Sequence, residues 1–169
     1  MIYFVSDFHF NHKKMLETRP RFKSLEEMNE TMIENFNSKV KENDTTFIIG
    51  DFSWSDPKEF FDRLNGRFMF VMGNHDKQIF HKKIIKVIPG FYDTRNEDQK
   101  FTVCHYPMIS WNCSHWGSWL FHGHHHSKTT FPGKIINVSV DALDYFPISW
   151  DEAKTEMQKR EENWDLIKR

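Results

Sequence analysis

Asp7 and His9, Asp51, Asn74, His105, and the pair His124 and His126 are side chains of metal-ligand type. Each follows a short hydrophobic run, in IYFVSDFH, TFIIGD, MFVMGNHD, FTVCH and WLFHGHHH. Two carboxylates, an amide oxygen and several imidazoles suit borderline or hard divalent cations such as Mn, Fe or Zn, with no thiolate required. The two-residue spacing of Asp7 and His9, repeated in His124 and His126, puts both side chains on one side of an extended chain, where they can reach one ion. A carboxylate has two oxygens that can touch two ions at once, so Asp51, with Gly50 permitting close backbone approach, is the candidate bridge. Asn74 would add a neutral oxygen that limits the accumulated charge, and Cys104 reads as core.

The elements that must deliver these residues read as an α/β protein, which gathers distant residues beyond the carboxyl ends of its strands. Residues 1–6, 45–49 and 67–72 are β-branched and aromatic runs expected as strands. Residues 25–40 carry apolar positions at helical spacing, with Ser24 as N-cap and Glu27 in the box position. A second helix is expected over 57–64, and a further parallel strand over 83–87, ended by Pro89-Gly90. Beyond Phe91 the segments 101–104, 118–122 and 135–140 are short strands without room for a helix in every connection, which predicts a mixed sheet. The spacing over 151–167 predicts a last helix with a sparse apolar face.

A chain of 169 residues is expected to form one domain over 1–169. Twenty-three basic against 24 acidic side chains give a formal charge of -1, so no global positive field draws it to nucleic acid or an anionic membrane. A local phosphate site stays compatible with that count, because bound cations are not in it. Two cysteines are too few for a disulfide framework, and no basic segment leads into a long apolar core. A reduced, cytoplasmic setting without signal peptide or membrane span is the expectation.

Taken in order, Asp7-Phe8-His9, Gly50-Asp51, Gly73-Asn74-His75-Asp76, His105 and Gly123-His124-His125-His126 resemble the motif blocks of the calcineurin-like metallophosphoesterase superfamily. Phe10-Asn11-His12, Cys104-His105-Tyr106-Pro107, His115-Trp116-Gly117-Ser118 and Asn137-Val138-Ser139-Val140-Asp141 look like a compact, single-domain bacterial or phage branch of it. The resemblance implies a four-layer αββα sandwich, two mixed sheets packed between helices. It also implies a dinuclear centre: Asp7, His9 and His126 on the first ion, Asn74, His105 and His124 on the second, and Asp51 between them. His75 would contact the phosphate and protonate or stabilise the departing oxygen, with Asp76 able to orient its ring. Asn11 and His12 are expected on the loop above the first ion, as phosphate contacts or as support. Arg19, Arg21, Lys13, Lys14 and Lys128 could line the edge of the cleft.

Two ions, Mn first with Fe, Zn, Ni or Mg as alternatives, would hold a hydroxide for in-line attack on a phosphate ester. A small chain leaves little room for a cap, which favours a phosphodiester or small nucleotide-like substrate over an enclosed monoester. The alternatives are a phosphomonoesterase, a nuclease, for which no basic stripe or nucleic-acid module speaks, and a non-catalytic metal-binding scaffold.

Overall fold

Strands β1 (Ile2–Val5), β2 (Thr45–Ile49) and β3 (Arg67–Val71) are apolar on both faces, the pattern of parallel strands covered on both sides. Tyr3, Val5, Ile48, Phe68 and Phe70 point one way, and Phe4, Phe47, Ile49 and Val71 the other. The structure is a computed structural model that describes residues 1–77, 79–128 and 131–167. Between β1 and β2 lie α1 (Met15–Thr18) and α2 (Leu25–Lys39); α3 (Lys58–Arg63) precedes β3. Ser24 caps α2 by accepting from Glu27 N, while Glu27 accepts from Lys23 N. Met28, Met32, Ile33 and Phe36 of α2, with Phe60 and Phe61 of α3, cover the first face of the sheet.

Strand β4 (Ile84–Ile88) adds to β3 in parallel, and β9 (Ile148–Ser149) pairs antiparallel with β1, giving the order β4-β3-β2-β1-β9. A second sheet, β5-β6-β7-β8, is built from Phe91–Asn96, Gln99–Cys104, Trp119–His122 and Ile135–Asn137. Its β5–β6 pair is antiparallel and the rest parallel. Phe101, Val103, Trp119, Phe121 and Ile136 meet Phe4, Phe47 and Ile49 between the sheets. Phe4 stacks on Phe121 with centroids 3.9 Å apart. The terminal helix α4 (Trp150–Lys159), opened by a capping box of Ser149 and Glu152, sends Trp150, Ala153 and Met157 into the same core.

Two mixed sheets flanked by a few helices are present, but the four-layer αββα sandwich is not. The outer face of the second sheet carries Cys104, Leu120 and Ile135, and it is covered by Trp111, Met108 and Phe131 from irregular segments. A 3-10 turn at Ser114–Trp116 stands where the expected arrangement has a helical layer. The stretch 105–118 carries no helical period, and its loop is tied down polar group by polar group: Ser118 Oγ donates to Asn112 O at 2.6 Å, and Asn163 Nδ2 donates to the carbonyls of Ser114 and Ser118 at 2.9 Å. The architecture that the calcineurin-like resemblance implied is corrected accordingly.

The same polar ties shorten the last helix. It ends at Lys159 rather than running to 167, because Asn163 and Trp164 are needed elsewhere: Trp164 Nε1 donates to Ile109 O at 2.7 Å. Among the described residues, no helix is long and apolar enough to cross a membrane.

Candidate metal centre

Beyond the carboxyl end of β1 the chain is not extended. Asp7, His9 and Asn11 have φ of 58°, 50° and 59°, and Asp51 and His124 have 53° and 66°. Non-glycine residues rarely occupy this left-handed region, and such departures concentrate at functional sites. The alternation keeps the two loops paired past the strand ends: Asp7 N donates to Gly50 O, His9 N to Asp51 O and Phe10 N to Phe52 O, each at 3.0 Å. Asp7 and His9 therefore converge through a kinked backbone, not through the strand alternation that their spacing suggested.

Two groups of ligand atoms result, Asp7 with His9 and His126, and Asp51 with His105 and His124, each lying within 4.8 Å of one another. Asp51 Oδ2 stands 3.5 Å from His9 Nε2 of the first group and 3.5 Å from His105 Nε2 of the second. Asn74 Oδ1 is 3.0 Å from His105 Nε2. Gly123 runs so close that a Cβ there would lie 2.5 Å from Ser6 Oγ and 2.7 Å from Asp7 Oδ2. That closeness lets His124 N donate to the Asp7 carboxylate at 3.0 Å.

The chemistry of these atoms fits a cation. His105 Nδ1 donates to Ile49 O at 2.9 Å, which turns Nε2 toward Asn74 Oδ1 and Asp51 Oδ2. His126 Nδ1 donates to Asp141 Oδ2 at 2.8 Å, leaving its Nε2 facing His9 Nε2 at 3.2 Å. Ligand-type nitrogen and oxygen atoms converging in this way suit a divalent cation between them. Burial alone would lower the His105 pKa, yet the adjacent Asp51 and Asp7 carboxylates raise it. Burial holds His9 down at about 3 despite Asp51, so it stays a neutral donor. Burial lifts Asp7 to about 6 against the pull of His126 and Ser6. At Asp51 the burial penalty is outweighed by His105 and the His75 amide, and the pKa falls to about 2.

Supporting contacts come from residues that sequence reasoning placed differently or passed over. Arg19, expected at the cleft edge, is 1% exposed. Its guanidinium donates to the carbonyls of Asp7 and Phe8 at 2.7 and 2.9 Å and grips Asp141 at 2.8 and 2.7 Å. Asp141 thereby joins Arg19 to His126. It is brought there by the chain after β8, which leaves β7 to bridge Ser6 through Ser139. Asp76 accepts from Asp51 N, Phe52 N and Gly73 N at 2.7, 2.9 and 2.8 Å, so its carboxylate clamps two loops together, and none of these bonds is to the His75 ring. His122 is fully buried against Phe131 on the outer face of the second sheet.

His75 has a side chain 44% exposed, with Nε2 4.0 Å from Asp51 Oδ2. Asn11 exchanges bonds with Asn29, donating its N to Oδ1 at 3.3 Å and accepting from Nδ2 at 2.7 Å. The His12 ring lies 5.5 Å from that of His9 and stacks on Trp54. Trp54 had no sequence signal beyond lying three residues after Asp51.

The model of the calcineurin-like phosphoesterase family matches residues 1–168. An uncharacterized protein of Methanocaldococcus jannaschii is 37% identical over 164 residues, covering 89% of this chain and 87% of its own length. The Gene 66 protein of Mycobacterium phage L5 is 25% identical over 203 residues, covering 98% of this chain and 93% of its own. Among solved structures, a protein of unknown function from Aquifex aeolicus superposes with a TM-score of 0.72 at 27% identity, covering 92% of this chain and 98% of that one. With a family model spanning nearly its whole length and a centre of paired Asp and His clusters, the chain belongs to the calcineurin-like phosphoesterase family.

Proposed function

We propose that this chain is a metal-dependent phosphoesterase acting on a phosphodiester or small nucleotide-like substrate, built as one domain over 1–169 and belonging to a compact branch of its family. The observation that carries the reading is Asp51 Oδ2 standing midway between two clusters of ligand atoms. Asp7, His9 and His126 would hold one divalent ion and Asn74, His105 and His124 the other, with Asp51 shared; Mn is the first candidate. When bound, the ions would neutralise the phosphate oxygens and make a water-derived nucleophile available at neutral pH.

The protein's own part is positioning and proton supply. Asp141 and the Ile49 carbonyl fix the imidazoles of His126 and His105. His75, exposed beside the clusters, faces the substrate and gives a proton to the departing alkoxide, or stabilises it by hydrogen bonding. Asn11 and His12 line the approach to the first cluster. Asp76 acts through the loops it holds, as a positioning residue.

The test is turnover of bis-p-nitrophenyl phosphate and p-nitrophenyl phosphate by the Mn-loaded protein, with metal content measured alongside. His75→Ala should lower turnover about 10²- to 10⁴-fold, the scale of a lost general acid, with both metals kept. Loss of metal in that variant would make His75 a ligand. Metal-replete wild type inert toward both esters would favour the scaffold reading.

A further inference from the structure

We infer that the phosphoester bound at this centre carries a nucleobase, and that the base stacks on the indole of Trp54. The inference rests on the phosphoesterase reading and narrows its substrate class. Trp54 is a large apolar ring left 49% exposed beside two clusters that are mostly buried. Singly exposed aromatics are common, but this one is built into place. Trp54 N donates to Phe10 O at 2.8 Å, and Ser53 bridges Phe10. The preceding Phe52 is locked in the core against Phe61, with centroids 4.2 Å apart, and the following Ser55 accepts from Asn11 Nδ2 at 2.9 Å.

One face of the indole is already taken. The His12 ring lies parallel to it at 3.8 Å and 6°. The His75 ring sits 4.8 Å away, tilted by 52°, and His9 is 6.3 Å away. The indole thus stands one imidazole away from the ligand atoms, comparable to the single ribose that separates a base from its phosphate. Trp54 is shared by two concavities. A groove that includes His12, Lys13, Lys14 and Glu17 has it in its lining. So does a cavity of about 620 Å³ lined also by Ser53, Asn74, His75, Asp76 and Lys77. That volume is within the range of small-ligand sites.

A supported, flat aromatic face at the mouth of a phosphate-handling centre matches the platform on which bases stack, an interaction every base can make. The formal charge of -1 points to a nucleotide-sized ligand, not a long nucleic-acid strand.

The test compares adenosine 5′-monophosphate with ribose 5-phosphate, which keeps the ribose and phosphate and carries a hydroxyl in place of the base, by calorimetric titration of the Mn-loaded protein. The wild type should bind the adenosine compound more tightly, and its tryptophan emission should be quenched on binding. Trp54→Ala should reduce the ratio of the two affinities about 5- to 150-fold, from a stacking contribution of about 1–3 kcal/mol. Trp54→Phe should restore most of that ratio, which also guards against a folding defect in the alanine variant. Equal affinities in the wild type, a ratio unmoved by Trp54→Ala, or binding of neither compound would each overturn the inference. Hydrolysis of bis-p-nitrophenyl phosphate by the same wild-type preparation tells the two failures apart: if hydrolysis is present, only the base contact is wrong, and if absent, the phosphoesterase reading has failed.

Discussion

The Asp7 carboxyl sits where water cannot reach it, and its neutral form persists to about pH 6 in the absence of a cation. Because the folded pKa lies above the unfolded one, near 4, the stability this group contributes is full below about pH 4 and is lost as pH rises through 6. Asp7→Asn should therefore make the metal-free protein more stable than wild type at pH 7.5, by up to about 3 kcal/mol, with the difference closing toward pH 4. Urea unfolding in the presence of chelator at both pH values measures it; a constant difference would contradict the burial account. At this scale the sequence announced the convergence of Asp7, His9, Asp51, Asn74 and the histidines, since each ends a hydrophobic run. It did not announce Arg19, in a polar stretch without periodicity, because that residue's burial depends on Asp141, 122 positions away. Trp54 was silent for the same reason: its importance comes from His12 and His75, which only the folded loops bring to it.

Loops, more than strands, hold the centre together. The segment after β2 and the one after β3 are joined by two carboxylates: Asp76, whose oxygens satisfy three backbone amides, and Asp51, which accepts from His75 N. Asp76→Ala should destabilise the fold by about 3 kcal/mol, since it leaves buried donors unpaired, and should weaken Mn binding with it. If Asp76 served chiefly to orient His75, unfolding would be unchanged and only the pH profile of turnover would move. Among the elements, β1 to β4, α2 and α3 were legible, because runs of β-branched and aromatic residues alternate with one clear 3.6-residue period. Strand β5, FYDTRN, was not: it is an edge strand whose partly polar side chains carry no strong alternation, and its pairing with β6 defines it. The two-residue β9 is defined in the same way by β1. The left-handed alternation after β1 was also hidden, since spacing alone cannot distinguish it from an extended chain.

For the whole molecule, the layer that sequence resemblance supplied and the structure withholds is the helix over the second sheet. Loop 105–118 and the segment after α4 take its place, fixed by Asn163 and Trp164. The two sheets still aim their loops at one end, so cation binding should tie both together. Mn at one hundred times its dissociation constant stabilises a folded state by about 2.7 kcal/mol, which for a chain of this size raises Tm by roughly 5–10 °C. Differential scanning calorimetry with Mn and then with chelator should show the rise and its reversal; an unchanged Tm would mean that the clusters do not bind the ion. Anomalous diffraction from crystals grown with Mn puts the central claim to the most direct test. Two peaks are predicted, one among Asp7, His9 and His126 and one among Asn74, His105 and His124, with Asp51 touching both. A single peak away from Asp51, or none beside these side chains, would contradict the account.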